Sequence, residues 1–167
     1  MQTESAFSPL KNFTSDRLCF ACGKDNPFGL HMTFLTDGRI VTSEVIVPSF
    51  MCGWGDLVHG GIIATLLDET MSWTAIHLLK RLILTRTMEI EFIQPAAPNT
   101  PLRTEGRIER QIKNTEAEVG AVLYNSENQV CARAKGRFAL LSAKLMRRMK
   151  IMDDRTVDDF ARCYEQD

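Results

Sequence analysis

Residues 30–36 and 39–47 alternate apolar and polar side chains, the period of a half-buried strand, and Asp37-Gly38 between them predicts a hairpin. Pro48, Gly53 and Gly55 mark residues 48–58 as loop. From residue 61 to 79 the period changes: about five helical turns carry apolar residues on nearly every side, with Asp68, Glu69 and His77 as their ionisable side chains. Such a helix is expected to be buried, and two acids in it need a reason. Four strands are predicted to follow. Residues 82–94 put Met88, Ile90 and Phe92 on one face, 102–110 read as a polar edge, and 116–124 and 129–140 flank a turn at 125–128. The charged stretch 142–165 predicts one or two amphipathic helices packed outside the core. One apolar helix among about six antiparallel strands can hide its surface only if the sheet curls around it, an α+β arrangement.

Composition narrows this to one domain. The chain has 167 residues, 44% of them hydrophobic, with no repeats and no Gly-, Ser- or Pro-rich linker. No apolar run reaches the length that crosses a bilayer, and residues 1–15 lack the basic and apolar regions of an export leader, so a cytoplasmic protein is expected. Five cysteines, an odd count, fit reduced thiols better than a disulfide framework. A net charge of -1 excludes a global field for nucleic acid or an anionic membrane.

The candidate chemistry lies at the start of the long helix. Gly60 and Gly61 leave backbone N–H groups unshielded where the helix dipole is positive, a place that suits a carbonyl gaining negative charge. His59, before the glycines, reads either as a cap or as a site residue. Asp68 reads either as a hydrogen-bonded structural acid or as a catalytic one. Seven residues, about 700° and roughly 10 Å of rise, separate Gly61 from Asp68, so they share a face but not a site. Two antiparallel copies of the helix would bring Asp68 of one chain to the Gly61 amide of the other, which predicts a homodimer with composite sites. Glu69 points about 100° away and reads as an interface or structural acid.

Val58-His-Gly-Gly61 with an acid nine residues after the histidine, followed by Thr85 to Pro95-Ala96, resembles the hotdog-fold acyl-CoA thioesterase superfamily, specifically its phenylacetate-pathway (PaaI-like) branch. The resemblance covers residues 30–140, leaving 1–29 and 141–167 as extensions. Cys19-x-x-Cys22-Gly with Asn26-Pro27-x-Gly29-Leu30 is similar to a subset of bacterial members. The resemblance implies hydrolysis of an acyl-CoA or related thioester without metal or redox cofactor, Asp68 acting as general base or nucleophile and the Gly61 N–H polarising the carbonyl. It further implies that His59 orients the thioester or supports its loop, that Thr85 helps hold the water, and that dimers can pair into tetramers. Strict alternation, however, puts Thr85 on the face of Thr87, Glu89 and Glu91, away from the core, unless a bulge intervenes. Cys52-Gly53 also stand where relatives often carry Asn or Gln, so a polar contact is replaced by a thiol or lost.

Other signals are weaker. Cys19 and Cys22 could hold zinc only with further ligands, for which His31 and Cys52 are the candidates; a tight turn with a small buried thiol is the simpler reading, and no metal is expected. Arg133, Lys135 and Arg137 line one face of the last strand, either for coenzyme A phosphates or as an ordinary solvated face, and Lys144, Arg147, Arg148 and Lys150 read the same way. Trp54 reads as a pocket or lid residue with Gly60, Phe50 as a possible pocket wall, and Trp73 as core. Two rivals to hydrolysis stand: a hotdog hydratase or dehydratase, and a non-catalytic acyl-CoA-binding module.

Overall fold

The computed structural model describes residues 6–10 and 17–164. The readings placed on residues 1–5, 11–16 and 165–167 lie outside them. Among the described residues, seven strands form one antiparallel sheet in the order β1-β2-β3-β5-β6-β7-β4. These are β1 (Ser8–Pro9), β2 (Leu35–Thr36), β3 (Val41–Ile46), β4 (Leu82–Phe92), β5 (Pro101–Lys113), β6 (Glu116–Tyr124) and β7 (Val130–Leu141). The helix α1 (Gly60–Leu79) packs across β3 to β7, giving the helix-in-sheet arrangement of the hotdog fold. No helix of the described residues is long and apolar enough to cross a membrane.

The predicted hairpin is present but its first strand is only two residues long. Asp37 Oδ1 accepts the Arg39 and Ile40 N–H groups at 2.8 and 2.9 Å, Gly38 takes a positive φ of 86°, and β2 leads into β3. The 125–128 turn forms as expected, with Asn125 Oδ1 accepting from the Glu127 and Gln129 N–H groups.

The segment read as a polar edge lies inside the sheet. β5 runs between β3 and β6, and the edges are β1 and β4. The polar look of β5 has a packing cause. Its inward positions include Thr104, which shares a 2.7 Å hydrogen bond with buried Thr70 of α1, and Gly106, where an added Cβ would lie 2.2 Å from Thr74 Oγ1. Small inward residues let the helix backbone come close to the sheet.

Around that contact Leu66, Leu67 and Met71 of α1 meet Val119, Leu123 and Phe138 in one core, each side chain contributing about 1.5–3 kcal/mol of apolar burial. The helix is not buried on every side, however. Gly61, Ala64, Thr65 and Asp68 form a stripe that the chain leaves partly open, next to the exposed edge β4.

The C-terminal segment also corrects expectation. It forms two helices, α2 (Ala143–Met149) and α3 (Asp154–Tyr164), but Met146, Val157 and Phe160 are fully buried and join the core. Tyr164 meets His77 edge-on at 5.8 Å, and Lys80 lies over its ring at 5.1 Å, so α3 closes the C-terminal end of α1.

Candidate active site

The loop ahead of α1 is tied down before it reaches the histidine. Cys52 pairs with Val58, Gly53 N–H donates to Leu57 O at 2.9 Å, Val58 N–H to Ala96 O at 2.9 Å and His59 N–H to Met51 O at 3.1 Å. His59 is extended, with φ -60° and ψ 136°, and its Nδ1 accepts the Gly61 N–H at 2.9 Å. It is the helix N-cap. A neutral imidazole accepting at Nδ1 carries its proton on Nε2, which leaves a donor facing outward from this exposed side chain. Two glycines make room for the ring: a Cβ at Gly61 would stand 3.0 Å from Nδ1, and one at Gly53 3.2 Å from Cδ2. Gly53 therefore serves the histidine by being small, and Cys52 holds the base of the same loop. Trp54, at the loop tip, is 91% exposed, and Phe50 is exposed too.

Beside the helix start lies an open, largely apolar groove walled by Leu57, Val58, Gly60, Ile63, Phe92 and Ala96. Gly60 brings the N-terminal end of α1 to its wall. An apolar acyl group matches the lining in polarity.

Asp68 sits two turns further along α1, on the open stripe, and accepts the Thr85 hydroxyl at Oδ1 over 2.9 Å. Burial pushes its carboxyl above the usual aspartate range, and the Thr85 hydrogen bond pulls the other way. Thr85 reaches it because of a bulge. Thr85 pairs with Phe138 and Thr87 with Arg137, so Arg86 is an extra residue in β4. Directly opposed residues share a face, and Phe138 is a core residue, so Thr85 faces the helix although Met88, Ile90 and Phe92 do as well. Unbroken alternation would have turned Thr85 outward.

The basic stripe lies on the outer face of the sheet. Glu91 stands opposite Arg133 and Glu89 opposite Lys135, while Arg137 binds Glu116 at 2.7 Å. The three cations thus alternate with acids instead of forming a cationic strip. On α2, Arg147 pairs with Asp158 of α3.

Glu69, read as an interface or structural acid, takes the second role in this chain. Its Oε1 accepts Trp73 Nε1 at 3.0 Å and the Cys19 thiol at 3.9 Å, and burial, with Cys19 close by, raises its carboxyl to about 7. Trp73 is core, as predicted, stacked on Phe34 at 5.6 Å. His31 does not join the cysteines; its Nδ1 is bonded to Gly23 O at 3.0 Å. Nothing local in the sequence pairs residue 69 with residue 19.

With this geometry in place, the comparisons are specific. A sequence profile described as "Thioesterase superfamily" matches residues 55–132, which include the histidine, the two glycines, Asp68 and Thr85. No curated protein matches the chain. Among solved structures, a thioesterase superfamily protein superposes with a TM-score of 0.66 at 22% identity, over 74% of this chain and 60% of that one. The Escherichia coli PaaI protein of the phenylacetic acid degradation operon gives 0.61 at 15% identity, over 67% and 80%. A hypothetical thioesterase from Streptococcus pneumoniae, solved with coenzyme A, gives 0.58 at 19% identity, over 61% and 81%.

Proposed function

We propose that this chain is a thioesterase of the superfamily whose sequence profile matches residues 55–132, and that it hydrolyses an acyl-CoA or closely related thioester to a free acid and a thiol. The observation that carries the reading is the Asp68–Thr85 pair, which exists only because β4 spends an extra residue to turn Thr85 inward. Thr85 holds one carboxylate oxygen and leaves the other for a water. Asp68 draws a proton from that water as its oxygen attacks the thioester carbonyl carbon; it could also attack directly as a nucleophile. The C–S bond then breaks, the acid leaves, and the thiolate takes the proton.

The negative charge that develops on the carbonyl oxygen needs donors, and Asp68 is too far from its own helix start to share them. We assign that role to the Gly60 and Gly61 N–H groups of a second copy lying antiparallel along the open stripe of α1. The exposed edge β4 and the exposed Phe92 and Ile93 at its end are what such a partner would cover. Dimers could then associate into tetramers. The carbonyl competes with His59 Nδ1 for the Gly61 N–H, so the imidazole must yield that bond, and its role is to hold the amide in place until the substrate arrives. The apolar groove takes the acyl group, and the exposed Trp54 at the tip of the loop that leads to Leu57 is assigned as its lid. Cations among Arg133, Lys135 and Arg137 reach coenzyme A phosphates only if a ligand displaces their acidic neighbours. The chemistry calls for no cofactor. None of the five cysteines is in a disulfide, which fits a reducing cytoplasm.

Thiol release from short, medium, long and aryl acyl-CoAs tests the reading. The wild type should turn over at least one of them, and Asp68→Asn should lose about 10²–10⁴-fold in rate with its assembly intact. The occupied Gly61 amide favours one other reading, a binding module without turnover. Acyl-CoA binding with no thiol release from any substrate would establish that reading and remove ours. A hydratase is less suited, because the His59 Nδ1 that would move protons is engaged by the Gly61 N–H in capping its own helix.

A further inference from the structure

The turn over residues 17–29, ahead of β2, is built more tightly than a connection requires. Gly23 N–H returns to Cys19 O at 2.9 Å, and a Cβ on Gly23 would fall 2.4 Å from the Cys19 nitrogen, so this conformation admits glycine alone. Leu30 N–H bonds Phe20 O and Met32 N–H bonds Ala21 O, each at 2.9 Å, which stitches the turn to the segment carrying Met32 and Phe34 into the core. The result points Cys19 and Cys22 at Glu69 of α1. The two thiol sulfurs and a Glu69 carboxylate oxygen all lie within 4.8 Å of one another.

We propose that Cys19, Cys22 and Glu69 bind one zinc ion, with a solvent molecule as fourth ligand, and that this ion fastens the N-terminal segment to α1. Two sulfurs each about 2.3 Å from zinc in a tetrahedron sit roughly 3.8 Å apart, and a carboxylate oxygen at about 2.0–2.2 Å completes such a set, so only a small contraction of the observed cluster is needed. Trp73 Nε1 donates to Glu69 Oε1, the oxygen that the Cys19 thiol also approaches, and so orients the carboxylate, as the outer contacts of metal-binding carboxylates do. Cys19, burial and Glu69 push the Cys22 thiol up, and burial and Cys19 raise the Glu69 carboxyl while the Cys22 hydrogen bond pulls it the other way. Three acids that cannot ionise side by side can all do so around a divalent cation, releasing their protons on binding. The chain supplies two soft donors and one hard one, which suits zinc better than magnesium or calcium. This inference does not depend on thioester hydrolysis, because none of the three ligands belongs to the Asp68–Thr85 pair and Glu69 points about 100° away from Asp68 around α1.

Metal analysis of the full chain, purified in a phosphine reductant with zinc in the growth medium, tests it. About one zinc per chain is expected in the wild type and in Cys163→Ser, falling at least tenfold in Cys22→Ser and in Glu69→Gln. As a check that does not require the variants to fold, the stripped wild type titrated with Co²⁺ should show thiolate-to-cobalt charge-transfer absorption with tetrahedral d–d bands. Absence of both zinc and the cobalt bands in the reduced wild type would overturn the proposal, as would equal zinc in Cys22→Ser. A Cys19–Cys22 disulfide that forms under mild oxidants and excludes no bound metal would identify the pair as redox-active instead.

Discussion

One oxygen of the Asp68 carboxylate is held by a hydroxyl that is itself exposed, so the two residues can be separated without opening the core. Thr85→Val removes a hydrogen bond to a charged acceptor, about 1.5–3 kcal/mol, and is expected to lower kcat/KM about ten- to a hundredfold while the thermal midpoint barely moves. A loss of the fold instead would show that Thr85 braces β4 and does not serve the carboxylate. At this scale the sequence was readable where the rules are local. The histidine, the glycine pair and the acid two turns on follow from helical periodicity, which counts only along one element. Thr85 did not follow, because the face of a strand residue depends on its register with β7, and its partner there, Phe138, lies more than fifty residues further along the chain. The partners of Arg133, Lys135 and Glu69 were hidden for the same reason: each is set by strand pairing or by packing between distant segments.

Between elements, the closest approach is that of α1 to β5. Gly106→Ala would drive a methyl group into Thr74 Oγ1 and to 3.1 Å from the Thr70 carbonyl, both on the helix, so the layers must part; a loss of about 1–3 kcal/mol in denaturant unfolding is expected. Composition alone made β5 look like an edge, since threonine and glycine are as common on an open rim as under a tightly seated helix. The junction of α1 with α3 should respond to acid. Burial, then the nearby Lys80, depresses the proton affinity of His77, which faces Tyr164. The folded state therefore prefers the neutral ring. Its contribution to stability is complete above the ordinary histidine value of 6.5 and is lost as pH falls through the lower folded value. Thermal midpoints taken from pH 7 to pH 5 should fall more steeply for the wild type than for His77→Gln; parallel curves would remove His77 from the account.

For the whole molecule the decisive question is whether one chain can complete a site. If the Asp68 carboxylate works with the helix start of a second copy, chains carrying Asp68→Asn and chains carrying Gly61→Val are each inactive alone. Mixed by co-expression they regain activity, because half of the dimers are hybrids and one of the two sites in each hybrid is intact, about one quarter of the wild-type level. No recovery, with hybrids confirmed by native mass spectrometry, would place each site within a single chain. The extra residue in β4 has a further bearing on any attempt to recombine this chain with its relatives. Arg86 acts as a frame shift written in space: even-numbered positions point inward after it and odd-numbered ones before it. A segment exchanged with a relative that lacks the extra residue must be cut at position 86, since a junction elsewhere carries the wrong parity into one half of the strand and presents Leu84, in place of Thr85, to the aspartate.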